Sequence, residues 1–403
     1  MRAELFGHLV SVDEARRLVM AAAVPIDRTE RLELPSADRR VAARDEHSPI
    51  DVPPFDRAAM DGYAVRAADV ADASIDGPAT LRLAGELFTG MVADRPVAQG
   101  ECIAIATGAP LPAGADTVIM VEHTRRDDDR VRVMASAKPG QHISRRGTDI
   151  ARGAPVVRAG DLLGPARLGS LAAVGLSIVE VFARPSVAVL STGNEVSPPG
   201  QPLPPGHIYD VNRFTTGAVV VRHGGVVAPM TPAGDDLDEL AAALDAAARH
   251  DIVVFSGGSS VGERDLMLDA LRARGTIVFH GIAVKPGKPT LFGQVGSTPV
   301  FGMPGNPTSC LSNAYMLLVP FLRAVARLPP WRPTVVTAPL AQPIKSSPGR
   351  HQFYTVQIRD GRVEPAFKSS GDITSMSEAD GYIEIPAGAT GVDAGELVAV
   401  TLF

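Results

Sequence analysis

The sequence contains little cysteine and few aromatic residues. Cys102 and Cys310 are the two cysteines among 403 residues, and their separation matches no metal-binding or redox spacing. Because each lies in an apolar run, we interpret both as buried small hydrophobic residues. Aromatic residues make up 5% of the chain, which disfavours base stacking as its main activity. These shortages argue against a disulfide framework and against a nucleic-acid-binding protein.

An excess of positive charge and long apolar runs are also missing. The 39 Lys and Arg residues face 45 Asp and Glu residues, for a net charge of −6. Nucleic-acid-binding proteins usually carry a basic face, so we expect no nucleic-acid partner. No run approaches the roughly 18 apolar residues of a membrane span, and Asp13 and Glu14 interrupt the first apolar stretch. We therefore expect a cytoplasmic enzyme of two to four domains without a membrane partner.

The best-known phosphate and nucleophile motifs are absent too. No Gly-Lys-Ser/Thr ends a six-residue loop, and no Gly-x-Gly-x-x-Gly follows a predicted strand, so neither a P-loop nor a dinucleotide fingerprint is present. No Gly-x-Ser-x-Gly elbow appears, which disfavours a serine hydrolase. The histidines are scattered without metal-binding spacing. Any phosphate chemistry must therefore use another kind of loop.

The pattern of the chain predicts three regions with different secondary structure. A capping box at Ser11–Glu14 begins an apolar helical stripe, which is either a docking or dimer helix or a plain structural one. Residues 57–140 are rich in short β-branched runs and predict a β-rich inserted domain. Residues 331–333 are interpreted as a linker, and the chain beyond them again predicts β structure, with Asp360-Gly361 as a hairpin turn.

Between these β regions, strands and helices alternate. Strands are predicted near 186–191, 226–230, 251–256, 276–279, 290–293 and 299–302, and helices over 211–222, from Asp235 to about 249, and after Asn306. This alternation predicts a parallel sheet covered by helices on both faces. Ligands in such sheets bind at the carboxyl ends of the strands.

Four loops that follow predicted strands are rich in Gly, Ser or Thr. They run over 191–195, 256–265, 285–289 and 302–307, and their candidate ligand-binding residues are Ser191, Thr192, Gly193, Ser256, Gly257, Gly258, Pro304, Gly305, Asn306 and Pro307. Glycine lets the backbone approach a ligand, and free N–H groups form an anion nest, to which the helix after Asn306 adds its positive end. One such loop alone could be a structural turn. Four at the ends of one sheet indicate a phosphate or oxyanion site.

Charged residues accompany the same loops. Lys285 and Lys288 stand in a rigid Lys-Pro-Gly-Lys segment, and lysine acts as a point charge on phosphate or a tetrahedral oxyanion; two solvated surface lysines are the alternative. Glu195, Asp235 and Asp265 are carboxylates beside the loops, although Asp235 and Asp265 could instead cap helices. Carboxylates near phosphate need a cation between them, and Mg²⁺ is the natural one.

Taken in order, these motifs resemble a known family. The strings are Phe55-Asp-Arg-Ala-Ala-Met-Asp-Gly-Tyr-Ala64, Ala106-Thr-Gly-Ala-Pro110, Arg145-Arg-Gly-Thr-Asp149, Ser191-Thr-Gly-Asn-Glu195, Ser256-Gly-Gly-Ser-Ser-Val-Gly262, Lys285-Pro-Gly-Lys-Pro289 and Gly302-Met-Pro-Gly-Asn-Pro307. Each is short, but their order and spacing make the set specific. Over nearly its whole length the chain resembles the molybdopterin molybdenumtransferase (MoeA-type) family, which includes the C-terminal domain of gephyrin.

The resemblance implies a multidomain α/β and β fold. Residues 1–56 with 144–178 would form an elongated, discontinuous N-terminal dimerisation domain, and 57–143 the inserted β-rich domain. Residues 179–330 would form a three-layer α/β/α molybdopterin-binding domain, and 331–403 a C-terminal β-barrel-like domain. The resemblance also implies a homodimer whose active site is shared between subunits.

The implied reaction is the Mg²⁺-dependent insertion of molybdate into adenylylated molybdopterin with release of AMP. Carried over by motif, the catalytic residues are Asp61, Thr107, Glu195, Asp235, Asp265, Lys285 and Lys288, of which Glu195, Asp235 and Asp265 are the Mg²⁺ ligands. Asp61 and Thr107 would reach in from the partner subunit, and Asp149 would lie near the domain junction. Arg350 and Ser370 match the pocket-facing pattern of the final domain more weakly. The substrate's dithiolene brings its own sulfur, so no catalytic cysteine is required.

Two departures and two alternatives accompany this resemblance. Asn194 stands where the family commonly has Asp, which removes one negative charge and any metal role there, and the segment around Ser370 and Ser375 has few of the usual basic or aromatic anchors. One alternative is a molybdopterin adenylyltransferase-like enzyme, although such enzymes are short and lack the β domains; that adenylyltransferase is also a candidate partner. The other is a non-catalytic scaffold.

Overall fold

The computed structural model describes residues 9–230, 236–257 and 266–403. The chain divides into two compact units. One contains Met1–Glu30 and Phe182–Phe403, and the other contains Arg31–Val181.

Helix α1, Val12–Ala21, begins as the capping pattern predicts. The Ser11 hydroxyl oxygen accepts a hydrogen bond of 3.1 Å from the backbone N–H of Glu14. The Glu14 carboxylate, in contrast, binds Arg17 rather than reaching back to the cap. The apolar stripe is buried in the main core of its own unit. Packing against this core is therefore enough to explain the apolar residues of the helix.

The unit of residues 31–181 is built mainly of β structure. Its strands are β1 Thr29–Glu33, β2 Glu46–His47, β3 Arg57–Ala58, β4 Gly62–Val65, β5 Ala79–Leu87, β6 Glu101–Ile105, β7 Thr117–Met120, β8 Thr124–Asp127, β9 Arg130–Val133, β10 Ile143–Ser144, β11 Pro155–Val157 and β12 Ile178–Phe182. One α-helix, α2 Pro165–Ala173, and short 3₁₀ turns at Leu34–Ser36, Ala67–Val70 and Val121–His123 accompany them. Six strands form a sheet in the order β7-β4-β6-β5-β9-β8, while β1 pairs with β12, β2 with β11 and β3 with β10.

Strand β4 lies inside this six-stranded sheet and is buried along its whole length. Tyr63 and Val65 pack into the core on one face, and Ala64 packs into the core on the other. This alternation follows from the two-residue period of a strand. The chain segment that follows Asp61 is therefore anchored on both faces of the sheet.

The region from residue 186 to 325 forms the α/β part of the larger unit. Its strands are β13 Ser186–Ser191, β14 Val196–Ser197, β15 Ile208–Tyr209, β16 Val226–Ala228, β17 Ile252–Ser256, β18 Thr276–His280, β19 Val284–Lys285, β20 Leu291–Val295 and β21 Thr298–Met303. Its helices are α3 Asn212–Arg222, α4 Leu237–Ala247, α5 Leu266–Arg274, α6 Pro307–Asn313 and α7 Val319–Val325, with a π-helical segment at Ala314–Leu318.

The main sheet of this region is mixed rather than parallel, which corrects the sequence prediction. Its order is β16-β13-β17-β21-β20-β18; the first four strands are parallel, and β20 and β18 are antiparallel to their neighbours. Strands β20 and β21 are joined by Gly296-Ser297 alone, and Gly296 has φ +59. A two-residue connection forms a hairpin, whereas parallel neighbours need a crossover.

The three-layer arrangement is confirmed. Val187 and Val189 of β13 pack into the core that contains α1 and residues 310–325, while Ala188 and Leu190 pack into the core that contains α4 and α5. Strand β17 divides its residues in the same way. Continuous apolar strands are expected where both faces of a sheet are covered.

The cap of helix α4 is Asp236, not Asp235. The Asp236 carboxylate accepts hydrogen bonds from the backbone N–H groups of Asp238 and Glu239, at 2.9 and 3.2 Å. The sequence prediction was wrong by one residue because adjacent aspartates are chemically equivalent caps, and only the backbone direction selects between them. Asp235 itself lies outside the described residues.

The C-terminal region is β-rich, as expected. Its elements are β22 Val335–Pro339, β23 Ile344–Lys345, β24 His351–Arg359, β25 Arg362–Pro365, α8 Thr374–Ser377, β26 Gly381–Ile385, β27 Gly391–Val392 and β28 Leu397–Leu402. The sheet order is β19-β24-β26-β28-β22, and β25 pairs with β24 through the predicted turn, where Asp360 and Gly361 have φ of 49° and 72°. Strand β19 of the α/β region is thus an edge of the C-terminal sheet. Across the described residues, no helix has the length and apolarity needed to cross a membrane.

Candidate functional site

A cavity of about 950 Å³ lies at the carboxyl ends of β13, β17 and β21. These strands are parallel neighbours, and their last residues Ser191, Ser256 and Met303 are in register. The loops after them therefore meet at one edge of the sheet, where ligands bind in open α/β folds. The C-terminal region forms another wall of the cavity.

Most of the residues predicted for this site are brought together by the structure. The predicted residues that line the cavity are Ser191, Thr192, Glu195, Ser256, Gly257, Lys285, Lys288, Pro304, Gly305, Asn306, Pro307, Arg350 and Ser370. Asp235, Gly258 and Asp265 lie outside the described residues, so their roles stay predictions.

Two glycines allow close packing of the loops at this edge. Gly257 has φ +104, and a Cβ atom there would lie 2.3 Å from the backbone oxygen of Thr192. Gly193 has φ +127, and a Cβ atom there would lie 2.7 Å from a carboxylate oxygen of Glu195. Both backbones use the left-handed region that favours glycine. The glycines thus let the two strand ends touch and let the Glu195 carboxylate fold over its own loop.

The lysine loop, residues 285–289, is held between two regions of the same unit. Lys285 pairs in strand β19 with Gln352 of the C-terminal sheet, and its Nζ lies 3.4 Å from the Ser347 hydroxyl. The Lys288 carbonyl accepts a hydrogen bond of 2.9 Å from the N–H of Ile282, which closes the loop on itself. Both lysine side chains border the cavity and are half-buried. Two cations at the ends of one short loop suit a multiply charged oxyanion.

The loop before α6 is tied to the segment that contains Ser370. The Asn306 side-chain amide donates to the Ser370 hydroxyl at 2.9 Å, and the Thr308 N–H donates to the Ser370 carbonyl at 3.1 Å. The structure thus places Ser370 beside the Gly-Asn-Pro loop, although the sequence around it matched the family pattern only weakly. Arg350 borders the same cavity and is exposed.

Sequence reasoning missed several cavity residues, of which Asp210 and Asn212 are the most informative. The buried Asp210 carboxylate accepts from the Ser191 hydroxyl at 3.0 Å and from the Arg213 N–H at 3.1 Å. The buried Asn212 amide donates to the Gly305 carbonyl at 2.7 Å. The available signal was a pair of polar residues at the start of a correctly predicted helix. Ser309 and Lys368 were missed as well.

Asp61 and Thr107 belong to the unit of residues 31–181, where they form one hydrogen-bonded pair. One Asp61 carboxylate oxygen accepts from both the N–H and the hydroxyl of Thr107, at 2.6 and 2.8 Å. These two bonds, the backbone one first, lower the pKa of the Asp61 carboxyl, because each stabilises the ionised form. The pair is exposed. Asp149 is also exposed, and its backbone N–H donates to the Val52 carbonyl.

The two cysteines are buried and chemically quiet, as predicted. Burial raises the pKa of each thiol to about 12, so neither is a thiolate near neutral pH. Any sulfur nucleophile at this site must come from a ligand.

Acidic oxygens at the cavity are suitable for a hard cation, although they do not form a closed metal site. No group of three or more His, Cys, Asp or Glu side chains with metal-binding geometry occurs within residues 9–230, 236–257 and 266–403. The carboxylates of Glu195 and Asp210 border the cavity. Mg²⁺ characteristically uses one or two carboxylates together with substrate phosphates, so this donor set fits a Mg²⁺ ion that arrives with its ligand.

Comparison with known proteins agrees with the geometry. Residues 10–175 match the family model for the MoeA N-terminal region (domain I and II), 188–324 that for a probable molybdopterin binding domain, and 337–403 that for the MoeA C-terminal region (domain IV). A protein of Mycobacterium tuberculosis named molybdopterin molybdenumtransferase 2 is 36% identical over 96% of this chain and 97% of its own length. The chain belongs to the molybdopterin molybdenumtransferase family.

Two further relatives span nearly the whole chain. The molybdopterin molybdenumtransferase of Haemophilus influenzae is 34% identical, covering 98% of this chain and 99% of its own. The crystal structure of a molybdopterin biosynthesis MoeA protein from Pyrococcus horikosii superposes with a TM-score of 0.84 at 40% identity, covering 98% of this chain and 99% of that one. The family resemblance inferred from the ordered motifs is therefore confirmed, and so is the multidomain MoeA-type fold.

Proposed function

We propose that this molybdopterin molybdenumtransferase family member inserts molybdate into adenylylated molybdopterin in the cytoplasm and releases AMP. The observation that carries the proposal is the single cavity that joins three Gly-rich strand ends to both lysines of the 285–289 loop. Adenylylated molybdopterin and molybdate are both anions, and they repel each other in water. A site that holds both needs fixed donors for one and cations for the other.

In this proposal the strand ends hold the pterin phosphates, and the lysine loop holds molybdate. The hydroxyls of Ser191, Thr192 and Ser256 are buried at the cavity edge, and the glycines beside them expose backbone to a ligand. Lys285 and Lys288 supply positive charge to the oxyanion, and Arg350 and Ser370 also border the cavity. The two dithiol sulfurs of the substrate bind molybdenum and displace one oxygen of molybdate, which leaves as water with the two thiol protons. This step fits a chain whose cysteines are buried and protonated.

Magnesium and a second subunit complete the proposal. Glu195, Asp235 and Asp265 are the proposed Mg²⁺ ligands, and the ion would neutralise charge on the phosphate that leaves with AMP. The exposed Asp61–Thr107 pair would act on the active site of the partner in a homodimer, with Asp149 near the domain junction. Exposure of the pair supports this role, because an exposed carboxylate remains accessible to a second chain. The molybdopterin adenylyltransferase, which supplies the substrate, is a proposed partner.

The test is a reconstitution with purified protein, adenylylated molybdopterin, molybdate and Mg²⁺. We expect AMP release and formation of a molybdenum-loaded cofactor, both dependent on molybdate and abolished by a chelator. A parallel reaction with labelled ATP and molybdopterin should show no adenylyl transfer. Adenylyl transfer in that reaction, or cofactor formation that ignores molybdate, would contradict the proposal.

A further inference from the structure

Asn313 is a fully buried polar residue that contacts the lysine loop. It ends helix α6, and none of its surface is exposed. Its side-chain amide donates to the Gly287 carbonyl at 3.0 Å and also to the hydroxyl of Thr290. The Thr290 hydroxyl in turn donates to the same Gly287 carbonyl at 2.8 Å. Asn313 therefore binds the middle of the loop and the residue just after it with one amide group.

The fit between Asn313 and the loop is close. Gly287 has φ +109, and a Cβ atom there would lie 2.3 Å from the Asn313 side-chain nitrogen. The Asn313 carboxamide thus occupies the space that a side chain at 287 would need. Removal of this amide would free the loop, because the contact is with the backbone between the two lysines.

The loop has a second attachment on its other side. Lys285 is held by strand pairing with Gln352, so the start of the loop is fixed by the C-terminal sheet. Asn313 holds the part of the loop that leads to Lys288. It also stands where α6 passes into the π-helical segment Ala314–Leu318, and such segments often occur at functional sites.

We propose that Asn313 is a positioning residue for oxyanion binding. By holding the Gly287 carbonyl and the Thr290 hydroxyl, it keeps the loop in the shape in which Lys285 and Lys288 border the same cavity. It touches neither substrate and acts through the lysines. The inference rests on the proposed role of these lysines toward molybdate, and it identifies what sets the affinity of this subsite for a tetrahedral oxyanion.

The experiment measures molybdate binding by the full chain in the absence of the pterin. Asn313→Asp keeps the size of the side chain but replaces the donor by an acceptor that faces the Gly287 carbonyl, and Asn313→Ala removes the group. We expect both to weaken molybdate binding by about 10- to 100-fold, because small displacements of positioning groups have effects of that size. In the complete reaction the KM for molybdate should rise, while the KM for adenylylated molybdopterin stays within about twofold.

Two controls separate positioning from a general loss of structure. Cys310→Ala removes a buried side chain one turn earlier in α6 and should cost stability without changing molybdate affinity. In a Lys288→Ala background, Asn313→Ala should add less than about twofold to the binding defect, because its effect passes through the lysine. If Asn313 variants fail to fold, Thr290→Val removes one partner of the amide at similar size and should weaken binding in the same direction.

The outcomes are distinguishable from failure of the proposed function. Wild-type protein that binds molybdate through its lysines but forms no cofactor would contradict the proposed reaction and leave the positioning role standing. A folded Asn313→Ala variant with wild-type molybdate affinity would overturn the positioning role, and so would an effect that fully persists without Lys288.

Discussion

The cavity of the larger unit and the Asp61–Thr107 pair of the smaller one are both polar, but they are built differently. At the cavity, Ser191, Thr192 and Ser256 are buried, and the Ser191 hydroxyl is held by the buried Asp210 carboxylate. Asp61 and Thr107 are exposed and are hydrogen-bonded to each other. A buried arrangement is pre-organised, whereas an exposed pair acts strongly only when water is excluded from it. Substitutions at the cavity should thus alter both ligand binding and the free energy of unfolding. Substitutions at the Asp61–Thr107 pair should alter enzymatic activity alone.

The largest expected effect is at the lysine loop. Lys285→Ala or Lys288→Ala should lower the rate of molybdate insertion by about 100-fold or more, since each removes a fixed cation from the site of a bound anion. Lys345→Ala, at an exposed lysine of β23, is the matched control and should keep wild-type activity. Rates are measured as molybdenum-loaded cofactor formed by purified protein. Wild-type rates in both loop variants would show that the two lysines, and the cavity that they border, are not needed for molybdate insertion.

Asp61→Asn tests the exposed side of the comparison. We expect a roughly 10- to 100-fold loss of cofactor formation, because the charge is lost while the size is kept. The free energy of unfolding should change little, as for exposed sites in general. Asp69→Asn is the control, since the carboxylate of the half-buried Asp69 also accepts a backbone N–H, that of Gly100 at 2.9 Å. Equal activity of the two variants would show that the Asp61–Thr107 pair has only a structural role.

Gly287→Ala should show that the cavity couples binding to stability. The added Cβ would meet the Asn313 amide, and the backbone is in the left-handed region, so we expect a loss of about 2–3 kcal/mol in unfolding free energy with weaker molybdate binding. Gly296 also has a positive φ, +59 against +109 at Gly287, but open space surrounds the new atom. Gly296→Ala should therefore cost about 1 kcal/mol and leave binding unchanged. Chemical denaturation measures the first quantity. Equal costs for the two variants would argue against close packing at Asn313.

The smallest effect concerns the opposite end of β13. Burial raises the pKa of Asp251, but hydrogen bonds from Arg28 and from the N–H and hydroxyl of Ser186 outweigh it and lower the pKa overall. A lowered folded-state pKa stabilises the protein above the ordinary carboxyl pKa of about 3.8, and this contribution is lost as the pH falls through the folded-state value.

Asp251→Asn should therefore destabilise the protein by about 1 kcal/mol at pH 7, a value kept small because Arg28 is half-exposed. Its difference from wild type should shrink below the ordinary carboxyl pKa. Thermal unfolding from pH 3 to pH 7 measures both. Molybdate insertion should be unchanged, because Arg28 and Asp251 lie at the end of β13 opposite the cavity. A large loss of activity would show that the cavity also depends on contacts at that opposite end.

Much of the secondary structure of the α/β region was predictable from the sequence, because local residue patterns determine it. The buried strands at 186–191 and 252–256 are continuous apolar runs, and the helix over 212–222 ends before two glycines. The antiparallel pairing of β20 and β18 was not predicted, because the direction of β20 depends on the two-residue turn at Gly296-Ser297. Asp210 and Asn212 were missed because polar residues at a helix start look alike whether they cap a helix or face a ligand.

The sequence by itself determined the family, the Gly-rich strand ends and the pair of lysines, because ordered motifs and apolar periodicity are properties of the chain. Only the tertiary structure decided that β19, at the start of the lysine loop, forms an edge of the C-terminal sheet. The same is true of the hydrogen bond between Asn313 and Gly287 in that loop. Those contacts join residues 26 and 67 positions apart, such as Gly287 with Asn313 and Lys285 with Gln352. Spacing along the chain contains no information about them, because long-range packing selects one partner among many that are chemically equivalent.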